Sequence, residues 1–251
     1  DDIAAVIAED EAAAARAARL VKVEDEGYEP IVTVEAAMAE GATPLHPDIR
    51  KDNVIVHSHM TMGEKDFTFD EGLRRAKETY GEENIVCVEA DYETPRISHC
   101  HIELPVSWAY MDVNGKVTVT SSTQIPHIVR RCTAQALGID IGKVRIVKPY
   151  IGGGFGNKQD VLYEPLNAFL TMAVGGHPVR LEISREETIY GTRTRHAILG
   201  RCRGAVTKDG VLLARKLDAY ANNGGYASHG HAICANCGNV FKDLYHDAIG
   251  S

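Results

Sequence analysis

The alternation of apolar and polar positions divides the chain into short strands and helices. Ala4 to Ala8 is a short apolar run that reads as a strand. Glu9 to Leu20 comes next, rich in Ala and Arg, with strong helix propensity. Its acidic start, Glu9-Asp10-Glu11, and its basic Arg16 and Arg19 suit the helix dipole. Val21 to Glu24 begins a second strand, so the opening reads as a compact strand-helix-strand unit. Pro30 and the stretch Gly41-Ala42-Thr43-Pro44 punctuate the next part of the chain, and a domain boundary is expected near residues 40 to 50.

Further on, Asn53 to Met62 is strand-like and Asp70 to Tyr80 has helical spacing. Ile85 to Tyr92 and Val106 to Met111 alternate as strands do. Val113-Asn114-Gly115-Lys116 supplies a hairpin turn, and Val117 to Ser121 is the returning strand. Ile125 to Leu137 reads as a helix stopped by Gly138. Val144 to Tyr150 is a strand running into a glycine cluster, and Gln159 to Val174 reads as a long helix behind it. Pro178 to Ile183 is another strand. Arg201 to Val206 and Val211 to Asn222 form a hairpin about Asp209-Gly210. The expected fold class is α+β.

Composition narrows the function classes. The 251 residues are 44% hydrophobic and 25% charged, an ordinary globular balance. A formal net charge of -8 argues against a nucleic-acid footprint, which needs a basic face. No apolar run approaches the roughly 20 residues that span a bilayer, so no membrane partner is expected. Cys87, Cys100, Cys132, Cys202, Cys234 and Cys237 show no disulfide framework, which suggests a reducing, cytoplasmic setting.

The candidate chemistry centres on Gly152-Gly153-Gly154-Phe155-Gly156-Asn157-Lys158-Gln159. Glycines between a strand and a helix let the backbone approach a ligand closely. A helix N-terminus behind them would favour an anionic or oxo-bearing group. A Walker A loop does not fit, because Asn157 precedes Lys158 and Gln159 follows it. A dinucleotide fingerprint starting at Gly152 needs Gly where Asn157 stands. A plain tight turn is the bland alternative.

Ile151 to Asp160 resembles the glycine-Phe-glycine loop of the xanthine dehydrogenase/aldehyde oxidase family, the molybdenum hydroxylases. Further segments match in the same order. Thr94 to Glu103, with His99 four residues before Glu103, resembles a family segment, as does Ser122-Thr123-Gln124. So do Arg180 to Glu187 with Arg195-His196, and Asn223-Gly224-Gly225-Tyr226 with His229-Gly230. The resemblance covers nearly the whole chain. It implies a remnant of a small α/β hammerhead domain at residues 1–42. Residues 43–251 would then be the N-terminal part of the molybdenum cofactor-binding domain.

The resemblance also implies a chemistry. A pterin dithiolene holds molybdenum with oxo, sulfido and hydroxide ligands. A Glu deprotonates the hydroxide, which attacks an electrophilic carbon. Electrons leave through iron–sulfur clusters and FAD on other domains or subunits. By resemblance Gly153, Gly154, Phe155 and Gly156 bind the cofactor, and Phe155 and Gln159 contact substrate. No residue of the chain ligates the metal directly. The expected activity is water-dependent hydroxylation of a purine or related N-heterocycle. Gln159 stands where purine-oxidising relatives have Glu; it can hydrogen-bond but carries no charge. The family's Gln near His99 has no counterpart here, since the neighbours are Arg96, Ile97 and Ser98. Glu103 reads as a structural, pairing residue.

The general-base Glu is expected outside this chain, so the catalytic residues remain unassigned. A completing molybdenum-binding segment or subunit, iron–sulfur and flavin subunits, and a small heterocycle are the expected partners. The opening at Asp1 without Met and the stop at Ser251 suggest a split subunit, a truncated product or a fragment. An aldehyde-oxidising relative and a non-catalytic fragment are the alternatives. Cys234 and Cys237 with His229 and His231 could form a zinc site on paper, but structural cysteines are the expectation. His57 and His59 share one face of the strand expected there, and Arg193, Arg195 and His196 read as packing residues.

Overall fold

The computed structural model describes residues 3–61, 64 and 66–249. Asp1, Ser251 and the Met62 end of one expected strand lie outside the described residues. The helices are α1 (Glu11–Ala18), α2 (Val34–Met38), α3 (Phe69–Tyr80), α4 (Pro126–Leu137), α5 (Glu164–Ala173), α6 (Arg185–Gly191) and α7 (Gly230–Leu244). The strands are β1 (Ile85–Thr94), β2 (Val106–Met111), β3 (Val117–Ser121), β4 (Val144–Val147), β5 (Val179–Glu182), β6 (Ala197–Thr207) and β7 (Leu212–Asn222). They form two compact units, residues 1–28 with 98–195 and residues 29–97 with 196–251. Both units are discontinuous in sequence.

The first unit is built on a four-stranded sheet of order β4-β3-β2-β5. β2 and β3 pair antiparallel across the Asn114-Gly115 turn, with Trp108 opposite Thr120. β4 returns parallel to β3 after the α4 crossover, as parallel pairing requires a long connection. Buried Ala109, Val117, Val119 and Ala168 pack between the sheet and α5, flanked by Met111, Leu137 and Ile146. α4 ends at Gly138, whose φ of 66° closes its last turn. α6 begins with a capping box, Ser184 accepting from the Glu187 N–H while Glu187 accepts from the Ser184 N–H.

The second unit is a three-stranded antiparallel sheet of order β1-β6-β7. α3 lays Phe69 and Ala76 against Ala205, Leu213 and Ala214. Arg215 on β7 grips the segment after α7. Its Nε lies 2.7 Å from Asp247 Oδ1, and its Nη2 lies 3.0 Å from Oδ2. It also donates to the Phe241 and Tyr245 carbonyls and stacks over both rings.

Four sequence expectations fail for identifiable reasons. Ala4 to Ala8, Val21 to Glu24 and the described part of Asn53 to Met62 are not strands. Ile3, Val21, Val23 and Val56 are exposed, and these runs have no pairing neighbour in the described sheets. An apolar run without a partner strand leaves its backbone groups unpaired, so it gains nothing from strand pairing. The long helix expected from Gln159 starts five residues later, at Glu164. Pro165 occupies its first turn, while Asn157–Gln159 is a single 3-10 turn. The glycine cluster therefore does not open into an α-helix N-terminus, and no helix dipole acts there.

Candidate functional site

The glycine loop follows β4 in the chain and is bent by three left-handed residues in a row of four. Gly153 has φ of 100°, Phe155 51° and Gly156 89°. Phe155 is not a glycine, so its left-handed backbone stores strain that the surroundings must hold. Its ring is 74% exposed and faces solvent. Close approach explains the glycine at 154, where an added Cβ would lie 2.5 Å from Gln124 Oε1.

Buried polar anchors hold the loop from below. Gln124 Oε1 accepts the Gly156 N–H at 3.1 Å, and the Gln124 N–H donates to the Lys158 carbonyl at 2.8 Å. Glu103 Oε2 accepts the Gly152 N–H at 3.0 Å, and the Glu103 N–H donates to the Gly152 carbonyl at 3.2 Å. Lys158, only 1% exposed, places Nζ 2.6 Å from that same Glu103 oxygen. Asn157, equally buried, bonds His101, Thr192 and the Arg193 carbonyl. Two successive side chains therefore point inward, while Gln159, like Phe155, is left exposed.

Electrostatics are set by the same frame. Burial would raise the Glu103 carboxyl, but the Lys158 hydrogen bond, the Gly152 N–H and the charges of Lys158 and His101 outweigh it and hold it below the usual carboxylate range. Burial also lowers the His99 imidazole, and Arg193 and His101 push it the same way. Glu164, deep under the sheet, is raised by burial despite hydrogen bonds from Ser121 and Leu162, and nearby Asp160 adds to the rise.

The structure brings Gly153, Gly154, Phe155, Gly156 and Gln159 together on one loop. Glu103 pairs with Lys158, in keeping with its structural reading. Arg193 and Arg195 lie just past α6, and the Arg193 carbonyl receives the Asn157 amide. His57 and His59 sit on extended chain, not on a strand. Cys234 and Cys237 lie one turn apart on α7, and Cys234 Sγ donates to the Ala219 carbonyl. Sequence reasoning missed the anchors Gln124, Asn157 and Lys158. Their signal was available only in part, as polar residues inside an otherwise glycine-rich turn and after a strand.

The loop suits a ligand rich in acceptors. Among the described residues, the backbone N–H groups of Gly153, Gly154 and Phe155 make no hydrogen bond within the protein. Gly154 is itself buried, and buried donors are rarely left unmade without a ligand or water.

Residues 46–248 match the molybdopterin cofactor-binding domain family. The chain belongs to that family, the molybdenum-cofactor part of the xanthine dehydrogenase/aldehyde oxidase group. Among individual proteins, it is 44% identical to the xanthine dehydrogenase molybdenum-binding subunit of Escherichia coli O157:H7, over 98% of this chain and 31% of that protein. It is 33% identical to the nicotinate dehydrogenase large molybdopterin subunit of Eubacterium barkeri, over 93% of this chain and 51% of that one. Its fold matches the aldehyde oxidoreductase of Desulfovibrio gigas with a TM-score of 0.73 at 30% identity, covering 85% of this chain and 22% of the other. The chain thus spans about a third of the xanthine dehydrogenase subunit that it matches.

Proposed function

We propose that this chain is the first part of the molybdenum-cofactor-binding region of a xanthine dehydrogenase-like hydroxylase acting on a purine or related N-heterocycle. Residues 1–42 are read as a hammerhead-like remnant and residues 43–251 as the N-terminal part of the cofactor-binding domain. The observation that carries the reading is the run of free N–H donors at Gly153, Gly154 and Phe155, held on a strained loop by buried anchors. These donors would hold the oxygens of a molybdopterin-type cofactor. When bound, that cofactor supplies two-electron oxidation coupled to transfer of an oxygen from water. The chain's own part is to bind and orient: Gly156 completes the turn, Phe155 offers a flat apolar wall, and Gln159 offers two amide N–H donors and an acceptor oxygen.

The general base and the remaining cofactor contacts belong to a completing segment or subunit. Iron–sulfur and FAD domains or subunits would carry electrons away. Six free cysteines suit a reducing cytoplasm. No helix among the described residues is long and apolar enough to cross a membrane.

A second reading, oxidation of an aldehyde, draws on the fold match to aldehyde oxidoreductase and on the uncharged Gln159. The experiment is metal analysis of the purified protein with its completing segments, then assay against purines, aldehydes and other N-heterocycles. Molybdenum near one per complex with purine turnover is expected. A protein without molybdenum would instead be the non-catalytic fragment, and aldehyde-only turnover would favour the second reading.

A further inference from the structure

The three-stranded sheet of the second unit is covered unevenly. α3 lies on one face, with Phe69 and Ala76 against Ala205 and Ala214. α7 lies on the other, where Arg215 of β7 donates to the Phe241 and Tyr245 carbonyls and Cys234 Sγ to the Ala219 carbonyl. Directly opposed residues of an antiparallel pair share a face. Gly204 stands opposite Arg215 and Cys202 opposite Leu217, so both lie on the α7 side. Val88 stands opposite Gly204 and Ala90 opposite Cys202, which puts the even positions of β1 on that side too.

β1 alternates without a break. Val86, Val88, Ala90 and Tyr92 face the α7 side, and Cys87, Glu89, Asp91 and Glu93 face the other. That period belongs to a strand with one buried face. Yet Val86, Val88 and Tyr92 are 43%, 54% and 59% exposed. On α7, Cys237 lies near enough to Cys202 for their charges to interact, so the flank that carries Cys237, Val240 and Leu244 turns toward β6. The other flank meets Met60, whose Cε would lie 3.2 Å from a Cβ on Gly238. Val240 and Leu244 are 60% and 63% exposed. The floor between the two walls is open, since a Cβ added at Gly204 meets nothing within 4 Å.

An apolar trough therefore runs along β6, with β1 as one wall and α7 as the other. Neighbouring strands lie about 4.8 Å apart, so β1 runs about 10 Å from β7. Helices pack side by side at about 8–10 Å. A second helix beside α7 thus lands over β1 and β6, where the exposed valines are.

We propose that this trough seats one amphipathic helix from the part of the molybdenum-binding subunit that this chain does not include. The chain spans 31% of the xanthine dehydrogenase subunit of Escherichia coli O157:H7, so ample sequence exists to supply the helix. A second copy of the chain is the wrong occupant. Edge to edge, two-fold antiparallel pairing of β1 with itself sets Glu89, Asp91 and Glu93 against the same row of carboxylates. Face to face, it sets trough against trough, because α7 of each copy rides on its own β7. The assignment rests on the proposed function in one respect, that the chain is the first part of a longer subunit.

The test places the photo-crosslinking residue benzoylphenylalanine at position 88 of the complete subunit. A cross-link to a helical segment of the subunit's own remaining sequence is expected. A cross-link to a second copy, to an iron–sulfur or flavin subunit, or to nothing overturns the proposal. Leu244→Lys, on the opposite wall, should speed hydrogen exchange across residues 85–94 of the complete subunit about tenfold, as loss of one buried apolar side chain predicts. Unchanged exchange means that no occupant bridges the two walls, and overturns the proposal as well. If that variant does not fold, the cross-link still decides. Molybdenum is measured on the same samples. A subunit without molybdenum that gives the cross-link would sink the proposed function and leave the helix seat standing; a molybdenum-bearing subunit without the cross-link does the reverse.

Discussion

Lys158 Nζ lies 2.6 Å from Glu103 Oε2, and that one oxygen also receives the Gly152 N–H. The ammonium is buried, whereas the carboxylate is about one-third exposed. Replacing Glu103 with Ala leaves a buried, unpaired cation. Breaking such a pair costs about 3 kcal/mol, the low end for buried pairs because one partner meets water. Chemical denaturation of Glu103→Ala should show this loss, and Lys158→Met combined with Glu103→Leu should recover most of it.

Acid should act on the same pair. The folded-state carboxyl of Glu103 is lowered, so its contribution is present above the usual Glu value and fades as pH falls through the lower folded value. A Glu103→Gln variant keeps an acceptor for Gly152 but loses the titration. Its midpoint of urea unfolding should vary less than that of the wild type across the acid range. Parallel curves for the two proteins would contradict the pairing.

Glu164 behaves in the opposite sense. Its folded carboxyl is raised by burial, so the native state binds more protons and stability declines as pH rises from the usual Glu value through the raised one. Glu164→Gln can still accept from Leu162 and donate to Ser121 without a buried charge. At neutral pH it should match or exceed wild-type stability, within about 1 kcal/mol. A large loss in thermal unfolding would show that the charge itself is needed.

Arg215 and Asp247 form a bidentate pair with only 8% and 4% of their side chains exposed. Asp247→Ala should cost about 3–5 kcal/mol by stranding the guanidinium. It should also free the chain after α7, and limited proteolysis would then cut near Tyr245 in the variant well before the wild type.

Gln159 is exposed, as is Phe155, while Asn157 and Lys158 hold the loop. In the complete enzyme, Gln159→Ala should raise KM about tenfold or change substrate preference, as loss of one substrate hydrogen bond predicts. Molybdenum content should stay at the wild-type level. Loss of the metal in this variant would contradict its assignment to substrate.

The sequence alone determined the features that depend on near neighbours. The period of two in Val106–Met111 and Val117–Ser121, with Asn114-Gly115 between them, marks a hairpin whose bounds the structure keeps. The helix over residues 126–137 and its stop at Gly138 arise from propensity and one left-handed position. The motif order around Gly153, Phe155 and Gln159 carried the family.

Tertiary structure decided the rest, because pairing and burial depend on distant residues. Ala4 to Ala8 has a strand's composition but no strand beside it. Ser184-x-x-Glu187 carried the signal of α6, yet it lay inside a motif read for chemistry. No local pattern shows that Lys158 is buried while adjacent Gln159 is exposed, since Glu103, Gln124 and His101 come to the loop from more than 30 residues away.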